Sequence, residues 1–167
     1  MSTEESGRAD PALDLVLERV IDVPPAHVWR AWTSPADLRR WFTPAPWQTV
    51  DCEIDLRPGG RFRTVMRGPA GEQFENEGCY LEVVPPHRLV WTGALTAGFR
   101  PRSSTVLATS PFLMTAILRF DAHPRGTSYR ALVRHGDELA RQKHEAMGFR
   151  DGWGRALDQL VELARGF

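Results

Sequence analysis

A turn joins two segments of alternating polarity in the first half of the chain, and it sets strict limits on the fold. Its sequence is Asp55-Leu56-Arg57-Pro58-Gly59-Gly60-Arg61-Phe62, in which a proline and two adjacent glycines favour a tight reversal. A period of two is typical of half-buried antiparallel strands, so the flanking segments predict a hairpin with one wet face and one covering face. The covering face carries Val50, Cys52, Ile54 and Leu56 before the turn and Phe62, Thr64 and Met66 after it.

Composition favours one ordinary soluble domain that has neither nucleic acid nor a membrane as a partner. The 167 residues are 42% hydrophobic and 25% charged, with 21 basic and 21 acidic side chains. No basic excess therefore favours polyanions or anionic membranes. Two cysteines without metal-ligand spacing predict reduced thiols and a cytoplasmic location. We expect a disordered tail at residues 1–12 and a single domain at residues 13–167.

Turn signals and periodicity divide the rest of the chain into strands and helices. The predicted elements are a strand at 13–23, short helices at 26–32 and 35–41, the hairpin, strands at 72–84, 88–95, 112–121 and 127–135, and a helical tail at 137–165. We predict a helix break at Gly148. The long connection at 96–111 is either a flexible excursion or a lid. This order predicts an α+β fold in which a curved antiparallel sheet of six to seven strands wraps round a long C-terminal helix and leaves a cavity.

Several of these segments together resemble a known family. They are Arg19-x-Ile21-x-Val23-Pro24, Val28-Trp29-x-Ala31-Trp32-Thr33-x-Pro35, Trp41, the turn at 55–62, Gly78, Val84-Pro85-Pro86-x-Arg88-Leu89-Val90 and Gly152-Trp153. In this order they resemble the SRPBCC (START-like, Bet v-like) superfamily, within the branch named after the C-terminal domain of the activator of heat-shock protein 90 ATPase. The resemblance implies a helix-grip fold with a deep pocket for an apolar or aromatic ligand, because relatives include polyketide cyclases and lipid carriers.

The same resemblance implies a co-chaperone role and a link to the stress response. In the eukaryotic co-chaperone a separate N-terminal domain carries much of the chaperone contact. A chain of 167 residues has no length for that domain beside the one predicted here. We therefore rank a chaperone partner below a small-molecule ligand.

The candidate ligand-binding residues are polar or aromatic side chains at inward positions. Arg19 interrupts an apolar strand face and could meet a carboxylate or enolate, although a buried arginine usually pairs, for instance with Glu77, or reaches the rim. His135 and Tyr129 are also the candidate catalytic groups, because either could move a proton. The full set is Arg19, Thr64, Asn76, Tyr80, Trp91, Tyr129, His135, Phe149 and Trp153.

Neither a metal nor a cofactor is expected. The remaining histidines are predicted on turns or exposed helix faces and lack metal-ligand spacing; they are His27, His87, His123 and His144.

Binding of a small hydrophobic or aromatic molecule is the leading predicted function, and it requires no chemistry. An enzyme of the cyclase or dehydratase type is the first alternative. A protein-interaction module is the second, through the acidic strand face of Asp51, Glu53 and Asp55 or the loop at 99–102. The sequence leaves open whether a homodimer forms through the long connection at 96–111.

Overall fold

The structure is a computed structural model that describes residues 7–109 and 113–167. Its strands are β1 (Asp14–Ile21), β2 (Gln48–Ile54), β3 (Arg61–Arg67), β4 (Gln73–Val84), β5 (Arg88–Thr92), β6 (Leu95–Thr96), β7 (Arg100–Pro101), β8 (Met114–His123) and β9 (Gly126–His135). Its helices are α1 (Pro25–Thr33), α2 (Pro35–Leu38), α3 (Ser104–Thr109), α4 (Glu138–Ala146) and α5 (Phe149–Ala164). The predicted α+β class is confirmed.

One antiparallel sheet of seven strands forms the scaffold. Its order is β1-β9-β8-β5-β4-β3-β2, while β6 and β7 form a separate small hairpin. The predicted hairpin is confirmed as β2 and β3, with Ile54 opposite Phe62. Gly60 is needed in its turn, because a Cβ there would lie 1.8 Å from the backbone oxygen of Asp55.

The C-terminal helix α5 packs against one face of this sheet, as the helix-grip prediction requires. The buried side chains of α5 are Phe149, Ala156, Leu157, Leu160, Val161 and Ala164. Most of them share one apolar core with Phe62, Trp91 and Tyr129 of the sheet. The predicted helix break is confirmed at Gly148, whose φ of +95° is a left-handed conformation that costs glycine little. The two helices α4 and α5 can therefore meet the sheet at different angles.

Part of the predicted disordered tail is tied to the sheet. The segment 1–6 lies outside the described residues, but the backbone oxygens of Arg8 and Ala12 accept hydrogen bonds from Arg134 and Arg141. Ala9 also packs on a second apolar cluster of the sheet, formed by Val90, Ile117 and Leu132. The polar composition of this segment pointed to disorder. The apolar cluster and the arginine donors, which the sequence does not place beside it, hold it in position.

One helix and one connection differ from the predictions. The helix expected at 35–41 ends at Leu38, where the chain turns. Beyond that turn, the indole N–H of Trp41 donates to the backbone oxygen of Ala31 at 2.8 Å. The connection at 96–111 carries ordered elements, β7 and α3, and Gly98 N donates to Gly59 O at 2.8 Å. The predicted start of a strand at 112 lies outside the described residues, and β8 is described from Met114. No helix in the described ranges is long and apolar enough to cross a bilayer.

Candidate functional site

A cavity of about 370 Å³ lies between α5 and the inner face of the sheet. The sheet side comes from β3, β4, β5, β8 and β9, and the helix side comes from α4, α5 and the junction between them. The segment after α2 and the connection between β5 and β8 complete the wall. This volume is within the range of small-molecule sites, which begins at about 300 Å³.

Aromatic rings form a continuous wall on one side of the cavity. Phe62 on β3 meets Trp91 on β5 edge to face, with ring centroids 5.1 Å apart, and meets Phe42 at 5.8 Å. Trp32 on α1 continues the wall by packing against Trp41 at 4.8 Å and against Phe42 at 5.7 Å. Such edge-to-face contacts hold the rings in fixed orientations, so this wall is preorganised for a flat apolar molecule.

The opposite wall comes from α4 and α5. The ring of Phe149 lies 5.2 Å from the rings of both Trp153 and His144. Gly152 also lines the cavity, and a Cβ there would touch only Pro44, at 3.9 Å. The space beside this turn of α5 is therefore open because the helix carries no side chain at that position.

Two histidines form a hydrogen-bonded pair behind this wall. His135 Nε2 and His144 Nδ1 lie 2.9 Å apart, and His135 Nδ1 lies 3.0 Å from the backbone oxygen of Leu13. A carbonyl oxygen can only accept, so His135 carries its proton on Nδ1. In the neutral pair His144 Nδ1 must then donate to His135 Nε2. Each ring is thus held in one tautomer.

This pair is kept neutral by its surroundings. Burial and, to a smaller extent, the nearby His135 lower the pKa of His144 to about 4. Burial also lowers the pKa of His135, against the opposing effects of its hydrogen bond to Leu13 and the charge of Asp14. The prediction that His144 lies on an exposed helix face is wrong, because it is buried and lines the cavity. A histidine with so low a pKa is a weak base at neutral pH.

Arg19 does not line the cavity. Its Nη1 pairs with Asp158 at 2.6 Å and its Nη2 donates to the backbone oxygen of Gly154 at 2.6 Å, so it ties β1 to α5. The expected acidic partner, Glu77, instead pairs with Arg61 at 3.0 Å. Arg19 lies in a separate surface depression between β1 and α5. The geometry gives no support to Arg19 as a ligand group.

The other predicted residues divide into two groups. Tyr80 lies behind the aromatic wall, fully buried and stacked on Phe62 at 5.3 Å, and His135 lies behind His144. Neither lines the cavity. The predicted residues that do line it are Thr64, Asn76, Trp91, Tyr129, Phe149 and Trp153.

Three buried polar atoms have no hydrogen-bond partner in the described part of the chain: Trp32 Nε1, Trp91 Nε1 and the Tyr80 hydroxyl. Trp32 and Trp91 both line the cavity. Burial raises the pKa of the Tyr129 hydroxyl above its usual range. The nearby Trp32 side chain lowers this pKa, although its indole N–H does not meet the geometry of a hydrogen bond to the Tyr129 hydroxyl. Both indole nitrogens are thus buried inside the wall and are not exposed to the cavity.

Sequence reasoning missed several residues of the site. His144 is one, because its burial depends on the angle between α4 and α5 beyond Gly148. Trp32 and Phe42 are two more, since an aromatic side chain on or beside a helix usually fills a core. Arg102 also lines the cavity, yet nothing in its sequence context separates it from Arg100. In residues 7–109 and 113–167, no group of three or more His, Cys, Asp or Glu side chains could hold a metal ion.

Comparison with known proteins gives a consistent set of similarities. The family model of the Activator of Hsp90 ATPase homolog 1-like proteins matches residues 22–165. The crystal structure of protein NE0264 from Nitrosomonas europaea is 44% identical over 95% of this chain and 97% of that chain, with a TM-score of 0.88. Protein Ms6760 from Mycobacterium smegmatis is 26% identical over 91% of this chain and 90% of its own, with a TM-score of 0.71.

More distant structures show the same fold. The AHSA1-like protein from Aeromonas hydrophila is 21% identical over 92% of this chain and 93% of that chain, with a TM-score of 0.69. No curated protein matches the chain.

Proposed function

Because the chain belongs to the family of Activator of Hsp90 ATPase homolog 1-like proteins, we propose that it binds a small hydrophobic or aromatic molecule in the cavity between its sheet and α5. The observation that carries this proposal is the cavity of about 370 Å³ itself, whose walls are built largely from aromatic rings of the sheet, α1 and α5.

The size of the cavity also favours an occupant. Because the cavity is partly open to solvent, water fills its volume of about 370 Å³ when no ligand is bound. An aromatic wall gives water few partners, so an apolar molecule is a better occupant than a water cluster.

Binding without chemistry is favoured over a cyclase-like enzyme. His135 and Tyr129 were the predicted proton carriers, but His135 lies behind His144, and burial holds the Tyr129 hydroxyl in its protonated form. His144 reaches the wall, but its pKa of about 4 makes it a weak base. Burial also raises the pKa of the Cys52 thiol to about 11, which disfavours a thiolate nucleophile. Enzymatic turnover therefore ranks below binding, and a chaperone or other protein partner ranks below both.

Uptake of a neutral fluorescent probe tests this proposal. We expect N-phenyl-1-naphthylamine to bind at one saturable site with a blue-shifted emission. The Gly152→Leu variant places an isobutyl group in the open space beside Pro44, so it should lower the probe affinity by about 10-fold or more. Ala146→Leu is the matched control, because it adds bulk at an exposed helical position outside the cavity.

The outcomes are distinct. Saturable binding that Gly152→Leu weakens and Ala146→Leu leaves intact would support the cavity as the site. Equal binding by both variants, or no saturable binding by the unchanged protein, would overturn the proposal. Thermal melting of each variant shows whether a loss of binding comes with a loss of fold.

A cytoplasmic location is part of the same proposal. Cys52 and Cys79 are free thiols, which supports a reducing compartment. The division into a tail and one domain and the homodimer through the long connection stay predictions.

A further inference from the structure

Arg102 is the cationic side chain in the wall of the cavity. It follows β7 in the connection between β5 and β8 and is half-buried. Its Nε donates to the backbone oxygen of Gly93 at 2.6 Å, and its own backbone N donates to Ala94 O at 3.2 Å. These two contacts hold the backbone and the Nε end of the Arg102 side chain in place. In the described part of the chain, no hydrogen bond or ion pair uses its Nη1 or Nη2.

The acidic residues in the same wall already have partners. Glu75 lies 2.9 Å from Arg63, and Glu77 lies 3.0 Å from Arg61. These pairs run across β3 and β4 at the positions that alternate with Phe62 and Thr64, which belong to the cavity side. Each glutamate is therefore paired within the sheet, and neither forms an ion pair with Arg102.

The histidine in the wall adds no charge to the cavity. His144 is neutral at pH 7, because burial lowers its pKa to about 4. Among the described lining residues, Glu75 and Glu77 pair with arginines that also pair with Asp51 and Glu53, whereas Arg102 forms no ion pair. A guanidinium with two uncommitted nitrogens matches the two oxygens of a carboxylate.

We propose that the ligand is an organic acid, whose flat apolar body lies between the aromatic walls and whose carboxylate binds Arg102. This inference rests on the proposed function and names the chemical class of its ligand.

A pair of probes that differ only in charge tests the inference. 2-Naphthoate and its neutral amide, 2-naphthamide, are each used to displace bound N-phenyl-1-naphthylamine. We expect 2-naphthoate to bind about 10-fold or more tightly than 2-naphthamide, because a charge-assisted hydrogen bond is lost with the amide. The preference should fall at high salt, since the site is open to solvent at Arg102.

Variants of Arg102 identify the group responsible. Arg102→Gln should remove the preference for the acid while the affinity for 2-naphthamide stays unchanged. Arg102→Lys should keep part of the preference, because it keeps the charge but loses the planar fork. Arg100→Gln is the matched control, as Arg100 is exposed on β7 and does not line the cavity.

The experiment distinguishes a failure of this inference from a failure of the proposed function. If both naphthalenes displace the probe equally well, or if the preference survives in Arg102→Gln, the inference is overturned and the proposed function stands. If neither naphthalene nor the fluorescent probe binds, both are overturned. The affinity for 2-naphthamide also reports whether each variant still forms the cavity.

Discussion

His135 on β9 and His144 on α4 share a hydrogen bond of 2.9 Å between Nε2 and Nδ1. This bond joins the last strand to the helix that leads into the cavity wall. His135 is fixed in turn by the backbone oxygen of Leu13, next to β1. The pair therefore connects three elements, and the bond between the rings is lost only when both rings are protonated.

Acidification should weaken the fold through this pair. An unfolded histidine titrates near pH 6.5, whereas burial lowers the pKa of His144 to about 4 and lowers that of His135. The unfolded chain therefore binds protons first, so the stabilisation is complete above about pH 6.5 and is lost as the pH falls towards 4. We expect the free energy of unfolding in urea to drop by about 2 kcal/mol between pH 7.5 and pH 5.

The matched variants for this test are His144→Phe and His123→Gln. His144→Phe removes the titrating ring from the wall, so its stability should vary less with pH than that of the unchanged protein. His123 is the last residue of β8, away from this pair, so His123→Gln should keep the full dependence. An unchanged pH dependence in His144→Phe would show that the pair is not its source.

Arg19 should matter for stability and not for binding. Arg19→Gln breaks the contacts with Asp158 and Gly154, which should lower the free energy of unfolding by about 1 kcal/mol, since the pair is partly exposed. The affinity for N-phenyl-1-naphthylamine should not change. Asp158→Asn provides the partner variant for a double-mutant cycle. A clear loss of affinity in Arg19→Gln alone would restore the original prediction that Arg19 is a ligand group.

Gln159 holds the loop that forms one end of the cavity. Its Nε2 donates to the backbone oxygens of Trp41 and Thr43, and its Oε1 accepts from Ala45 N, each at 2.9 Å. Gln159→Leu keeps the size but loses all three bonds, so we expect a loss of about 2–4 kcal/mol in the free energy of unfolding and weaker probe binding. Glu162→Gln on the exposed side of α5 is the control. Stability equal to that of the control would contradict this role.

The hairpin turn should tolerate no side chain at Gly60. A Cβ there would lie 1.8 Å from Asp55 O, and the backbone would have to move. Gly60→Ala should therefore lower the free energy of unfolding by about 3 kcal/mol or more. Gly136→Ala, where no atom lies within 4 Å of the added Cβ, should be close to neutral. Similar stabilities for the two variants, measured by urea unfolding, would argue against the turn geometry.

The hairpin and the helix break could be predicted because each depends on local signals. The glycine pair at the turn and Gly148 in the helical tail determine the backbone conformation at their own positions. The inward positions of Thr64, Asn76 and Tyr129 follow from strand alternation, which a bulge could reverse. The register shift on β4 comes after Tyr80 and so leaves Asn76 on the predicted face.

The residues that escaped prediction depend on distant parts of the chain. His144 is buried because α4 returns to β9 after the sheet is complete. Arg102 reaches the cavity because the small β6–β7 hairpin folds back towards Gly59, and a sequence gives no measure of that path. Ala9 is ordered because an apolar cluster from three strands happens to lie beneath it.

Native mass spectrometry of protein purified without denaturation tests the central claim, an occupied cavity, most directly. We predict a non-covalent adduct of one small organic molecule per chain, released on denaturation, reduced in Gly152→Leu and retained in Ala146→Leu. An organic acid among the released molecules would also agree with the role of Arg102. Protein that runs at its unliganded mass, and gains no mass when N-phenyl-1-naphthylamine or 2-naphthoate is added, would contradict the account.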